Sequence, residues 1–205
     1  VERYYRGTMY HLSRQAAKVI MPDENIGSAI VYFHYTDPSG ARYWLLVKGA
    51  SSRIIPVGGT MRPNETHVET AARRAHEALG IQIPPHKFGD MVPIAEHSVK
   101  FTNVLIDEEP IVKHTTAYSY ALDDADIAHI VRGQVLDSIT TIDVAGPAVE
   151  PEIESVVICR ESNVGDLART FPKRFMPHTI GTLRHLAGLR SAKSYVNLHS
   201  FKFLQ

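Results

Sequence analysis

Two neighbouring segments mass β-branched and aromatic residues as strands do: Ser28–Tyr35 (SAIVYFHY) and Arg42–Lys48 (RYWLLVK), with Asp37-Pro38-Ser39-Gly40 between them. Asp, Pro, Ser and Gly each favour reversal of the chain, so the pattern predicts a β-hairpin. Ile54-Ile55-Pro56-Val57 reads as a short third strand. It runs into Gly58-Gly59, where the missing side chains permit a tight loop and close approach of another group. From Glu65 to Leu79 the period changes. Val68, Ala71, Ala72, Ala75 and Leu79 recur every three or four residues, which predicts an amphipathic helix over about Glu65–Leu79. Asn64 is the expected N-cap and Gly80 the left-handed C-terminal cap. Alanines on the inner face let such a helix lie close to a sheet. Further strands are predicted at Asp90–Ala95, Ser98–Ile106, Thr115–Leu122 and Ile153–Cys159. Helices are predicted at Ala125–Arg132, Val164–Arg169 and Thr179–Leu189, with a weaker helical period over Met9–Ile20.

Hairpins mixed with helices fit an α+β fold with a mixed sheet better than a doubly wound parallel one. The 205 residues suffice for one domain of ordinary size, read here as residues 25–190, with an N-terminal extension (1–24) and a C-terminal tail (191–205). The apolar runs fall far short of the roughly 20 residues that cross a bilayer, so no membrane partner is expected. The first residues lack the basic and apolar pattern of a signal peptide. Cys159, the single cysteine, lies in the apolar run Val156-Val157-Ile158 and reads as a buried, inert thiol, with a reducing, cytoplasmic setting as the default.

Charge adds one feature. Twenty-two Lys and Arg balance 22 Asp and Glu, so a polyanion would have to meet a local patch. From Arg160 to Gln205, eight cations face only Glu161 and Asp166, and Tyr195, Phe201 and Phe203 lie among them. That stretch is a candidate contact surface for RNA or a protein partner, and its composition suits packing of the tail onto the domain as well.

The candidate chemistry lies between Ile54 and Ile81. Glu65, Glu69, Arg73 and Glu77 follow at intervals of four and would share one helix face. By itself such a row is a solvated stripe of ion pairs, and Glu69 is assigned to that role. The wider spacing is more specific. Gly59, Glu65 after five residues, Arg73 after seven more, then Glu77 and Gly80-Ile81, match without a gap the signature G-x5-E-x7-R-E-U-x-E-E-x-G-U, where U is bulky and apolar. The segment therefore resembles the Nudix hydrolase signature, and the flanking hairpin and Glu152–Leu167 extend the resemblance over about residues 25–190. The resemblance implies a Nudix-like α/β/α sandwich around a mixed sheet. It also implies Glu65 and Glu77 as metal ligands, Glu77 and Arg73 as catalytic residues, and Gly58 and Gly59 in a ligand-binding loop.

Two departures from the signature matter more than the matches. Arg74 stands where the family has a glutamate, and Ala78 replaces the second of the paired glutamates. In the family these carboxylates bind the divalent ions that neutralise a pyrophosphate and activate water. Hard cations need oxygen ligands, and a guanidinium beside them repels a cation and attracts a phosphate. The expected function is a Nudix-fold protein that binds a nucleotide, another diphosphate-containing ligand, an RNA end or a protein, with little or no hydrolysis and no cofactor. The alternative is an active hydrolase, dependent on Mg²⁺ or Mn²⁺, that cleaves a nucleoside diphosphate linked to another moiety. It would recruit carboxylates from outside the helix, among them Asp107, Glu108, Glu109, Glu150, Glu152 and Glu154. A structural component reusing the fold is a third reading. The histidines, including His34, His67, His76, His97 and His114, form no convincing metal-spaced pair.

Overall fold

The structure is a computed structural model that describes residues 25–49, 53–101, 111–143, 153–170, 174–175, 177–188 and 200–203. Met9–Ile20, the acidic run Asp107–Glu109, Glu150, Glu152, Lys193 and Tyr195 lie outside these residues.

Strands β1 (Asn25–Thr36) and β2 (Arg42–Gly49) form the predicted hairpin, with Phe33 opposite Leu45 and Tyr35 opposite Tyr43. Its turn is held by the Asp37 carboxylate, which accepts from the backbone N–H of Ser39 at 2.8 Å and of Ala41 at 2.9 Å. The β1–β2 register runs from Phe33–Leu45 to Thr36–Arg42, and the remaining lengths take separate partners. β2 pairs with β3 (Ile54–Ile55), and β1 pairs with β4 (Val57–Thr60), placing Gly58 opposite Ile30 and Gly59 opposite Ala29. The glycine pair thus lies inside a strand, not in the tight loop the sequence suggests. Its missing side chains serve packing: a Cβ on Gly58 would stand 2.4 Å from the Ala29 carbonyl oxygen, and one on Gly59 would stand 2.6 Å from Arg74 Nε.

The remaining strands are β5 (Val92–Phe101), β6 (Ile111–Ala121), β7 (Ile139–Asp143), β8 (Ile153–Arg160) and β9 (Ser200–Phe203). They order the sheet β7-β8-β2-β1-β6-β5-β9, with β1 and β6 parallel and the other pairs antiparallel. Val92–Phe101 merges most of what reads as two strands, because a register shift between Pro93 and Ala95 carries the proline through the pairing. β7 and β9 have no counterpart in the sequence reading. Each is four or five residues long and takes its backbone partners from a strand distant in sequence or following it, β5 for β9 and β8 for β7.

Helices cover both faces. α1 (His67–Leu79) and α2 (Asp124–Val131) pack on one side, α3 (Val164–Thr170) and α4 (Pro177–Leu186) on the other. Alternation along β1 divides the core. Ala29, Val31 and Phe33 meet the alanines of α1 and Ile127 and Ile130 of α2, while Tyr32 joins Trp44, Leu46 and Cys159 beneath Val164, Leu167 and Leu183. The fold is therefore α+β, a mixed sheet between two helical layers. Cys159 is fully buried, and burial pushes its thiol up to about 12. No helix among the described residues is long and apolar enough to cross a membrane. The basic stretch that begins at Arg160 is spread over the end of β8, α3, α4 and β9.

Ala75 is completely buried in the seam between α1 and the sheet. Ala75→Leu should overpack it and cost about 1–3 kcal/mol, read as a lowered Tm; an unchanged Tm would contradict this packing.

Candidate functional site

The local chemistry of the β4–α1 junction decides where each charge goes. Helix α1 starts at His67, and its N-cap is Thr66, not Asn64. Thr66 Oγ1 accepts from the Glu69 N–H at 3.2 Å, and the Glu69 carboxylate accepts from the Thr66 N–H at 2.7 Å. This reciprocal box satisfies two otherwise orphaned donors. Asn64 instead adopts φ +64° in the loop, a conformation asparagine tolerates. Gly80 caps the other end at φ +71°, as expected. Glu69 is thus a capping residue and leaves the row it shares in sequence with Glu65, Arg73 and Glu77.

Because the helix begins late, Glu65 precedes it and folds back over the first turns. Its carboxylate accepts from Arg73 Nε at 2.6 Å, Arg73 Nη2 at 2.9 Å, the Arg62 N–H at 2.8 Å and Thr70 Oγ1 at 2.9 Å. Arg73 also donates to Glu77 at 2.9 Å and to the Thr60 carbonyl at 3.1 Å. These bonds, the Arg73 fork foremost, hold the Glu65 carboxyl at about 2, and the same pairing raises Arg73. Glu77 accepts from Arg62 at 3.0 Å and from Arg74 at 3.0 Å. Arg74 Nε donates to the Gly58 carbonyl at 2.9 Å, and its side chain lies over Gly59 in space that any Cβ would take.

Gly58, Gly59, Glu65, Arg73, Arg74 and Glu77 thus come together around the end of β4. Ala78 turns away and is 5% exposed within the apolar layer. Sequence reasoning missed three neighbours. Thr60 and Arg62 fall at unspecified positions of the signature, and Lys113 arrives from β6, its ammonium donating to Thr60 Oγ1 at 3.2 Å. Burial, then the nearby Arg74 charge, lowers Lys113 to about 8. No local pattern announces a residue 53 positions along the chain.

Among the described residues the donor set does not fit a divalent cation. The oxygens of Glu65 and Glu77 are engaged by Arg62, Arg73 and Arg74, and no three His, Cys, Asp or Glu side chains among the described residues form a metal-binding group. Of the carboxylates considered as replacements, Glu154 pairs with Lys48 at 2.8 Å on the opposite part of the sheet, at β8. Among the described residues the cluster holds the cations Arg62, Arg73, Arg74 and Lys113 around the anions Glu65 and Glu77, an excess of positive charge that favours anions.

No protein-family model matches the sequence, and no curated protein does. Among solved structures, the chain is similar to a NUDIX hydrolase from Alicyclobacillus acidocaldarius, at 13% identity and a TM-score of 0.49, covering 84% of this chain and 95% of that one. It is also similar to the C. elegans Ap4A hydrolase in a binary complex, at 12% identity and a TM-score of 0.47, covering 80% and 96%. A third is the MutT protein from Bacillus halodurans, at 13% identity and a TM-score of 0.47, covering 87% and 97%.

Proposed function

We propose that this protein uses a Nudix-type site, altered at the metal-binding positions, to bind the diphosphate of a nucleotide or a related ligand without a metal and with little or no hydrolysis. The observation that carries this reading is the placement of Arg74. At a position where the Nudix signature has a glutamate, a guanidinium is tied to the Gly58 carbonyl and to Glu77. A metal ion brought here would meet a fixed positive charge and carboxylates already paired with arginines. A phosphate would meet a guanidinium whose Nε is held by a backbone carbonyl and whose Nη1 is shared with Glu77, and arginine binds phosphate oxygens through such charged hydrogen bonds when they take the place of a carboxylate.

In this reading Arg74, Gly58 and Gly59 bind the ligand. Arg73 keeps Glu65 and Glu77 in place and no longer assists turnover. The metal-ligand and catalytic roles that the resemblance assigns to Glu65 and Glu77 give way to charge compensation for the three arginines.

Calorimetry with pyrophosphate in EDTA tests the reading. Binding is expected, weakening as salt rises, and Arg74→Ala should lose about 1.5–3 kcal/mol of affinity. With Mg²⁺ or Mn²⁺, rates on nucleoside triphosphates, sugar nucleotides, dinucleoside polyphosphates and capped RNA should stay near background. Metal-dependent release of phosphate or nucleotide that Glu77→Gln abolishes would establish the hydrolase alternative instead.

A further inference from the structure

The two layers of the core treat polar atoms differently. Among the described residues, the buried side-chain polar atoms that no protein group bonds are Tyr32 Oη, His34 Nδ1, Ser155 Oγ, Thr179 Oγ1 and Arg184 Nε. All belong to the layer between the sheet and α3–α4. Tyr32 packs there from β1, and His34 sets its ring edge against Trp44 of the same layer. Ser155 alternates with Val157 and Cys159 on β8, and the other two residues are on α4. The α1–α2 layer has no such atom among the described residues.

Tyr32 and Thr179 are the extreme cases, with no exposure at all, and Thr182 is buried beside them. Three residues apart, the two threonines share the inner face of α4. Burial raises the Tyr32 phenol, and the hydroxyls of Thr182 and Thr179 next to it oppose part of that rise. Neither is aligned with Tyr32 Oη for a hydrogen bond. A hydroxyl taken from water without a partner is costly, and buried polar groups are bonded as a rule.

The residues around this cluster are small. On the sheet, Ala95 stands opposite Ala117, and both are buried in this layer. On the helix, buried Gly181 lies between the two threonines. Leucine-sized side chains at these positions would close the layer over apolar surface. Here small residues on both walls surround three hydroxyls instead. Apolar gaps in proteins stay dry, whereas a polar one that offers about two to four hydrogen bonds retains water.

We propose that a single water molecule is bound beneath α4, bridging Tyr32 Oη to the hydroxyls of Thr179 and Thr182 and so tying α4 to β1. The site is independent of the one at β4 and α1, which lies on the opposite face of the sheet.

A high-resolution crystal structure of the full chain, together with water-selective NMR, tests the proposal. The crystal should show an isolated density peak within hydrogen-bond distance of Tyr32 Oη and of at least one threonine hydroxyl. A long-lived water there should give cross-relaxation to the methyl protons of Thr179 and Thr182. Tyr32→Phe, which removes only the hydroxyl, should lose this signal and lower Tm by about 2–4 °C, the shift of one lost hydrogen bond in a chain of this size. Adding Thr179→Val should then cost less than it does in wild type, because the bridge is already gone. Absence of the peak, with the hydroxyls bonded directly to one another, would overturn the proposal even if Tyr32→Phe destabilises. A Tyr32→Phe variant that melts at or above wild type would overturn it as well, since the hydroxyl would then have had nothing to bond.

Discussion

Arg73→Ala is expected to be among the most damaging single substitutions in the protein, costing roughly 3 kcal/mol in chemical or thermal unfolding. The side chain is 17% exposed and holds Glu65, at 18%, and Glu77, at 14%, through three ion-pairing bonds. Removing it leaves two part-buried carboxylates short of donors, and most of such losses come from the partner left unpaired. Arg73→Lys should recover only part, because a lysine cannot present the fork that spans both Glu65 oxygens. The pH profile gives a second reading. The Glu65 carboxyl is held at about 2 in the folded protein against an ordinary value of 4.5, so the folded state favours its charged form. Its contribution is complete above about pH 4.5 and is lost as the pH falls towards 2. Wild type should therefore lose stability across that window, and Arg73→Ala should show a flatter profile there. Identical slopes below pH 4.5 would remove Arg73 as the cause.

The two adjacent glycines are expected to respond in opposite ways to the same added methyl group. In Gly58→Ala the new Cβ would stand 2.4 Å from the Ala29 carbonyl oxygen and 2.7 Å from Ile30 Cα, backbone atoms of a central strand that cannot yield separately. A loss of about 3 kcal/mol or more follows, with a correspondingly lowered Tm. In Gly59→Ala the first obstacle is Arg74 Nε at 2.6 Å, then Cδ at 3.0 Å, the outer part of a flexible side chain. The protein should fold with a stability within about 1 kcal/mol of wild type and lose most of its pyrophosphate affinity, because the guanidinium is displaced from Gly58. If Gly59→Ala binds pyrophosphate as wild type does, the seat of Arg74 on β4 is irrelevant to the ligand.

Together these variants separate two uses of one short segment. Gly58 lets β4 dock against β1, which is a condition of the fold. Gly59 lets a helix side chain lie flat on the strand, which is a condition of the proposed site.

Much of this was legible in the amino-acid order, because the relevant forces act within a few residues. Alternation of apolar residues and the Asp-Pro-Ser-Gly turn determine the β1–β2 hairpin. A three-and-four period, inner alanines and a closing glycine determine α1. The spacing from Gly59 to Ile81 places Glu65, Arg73 and Glu77 around one helix, and exposes Arg74 and Ala78 as departures. Even so, two features lay outside that reach although they are local: the cap falls on Thr66 because its hydroxyl and Glu69 satisfy each other, and Glu65 consequently precedes the helix. What remained required partners distant in the chain. Gly58 and Gly59 are strand residues because β1 supplies their hydrogen bonds. The parallel pairing of β1 with β6, and the short strands β7 and β9, likewise depend on neighbours that a local pattern cannot name. The charge balance of the site depends on the same kind of distant neighbour, since it is β6 that brings Lys113 to Thr60, 53 positions away in the chain.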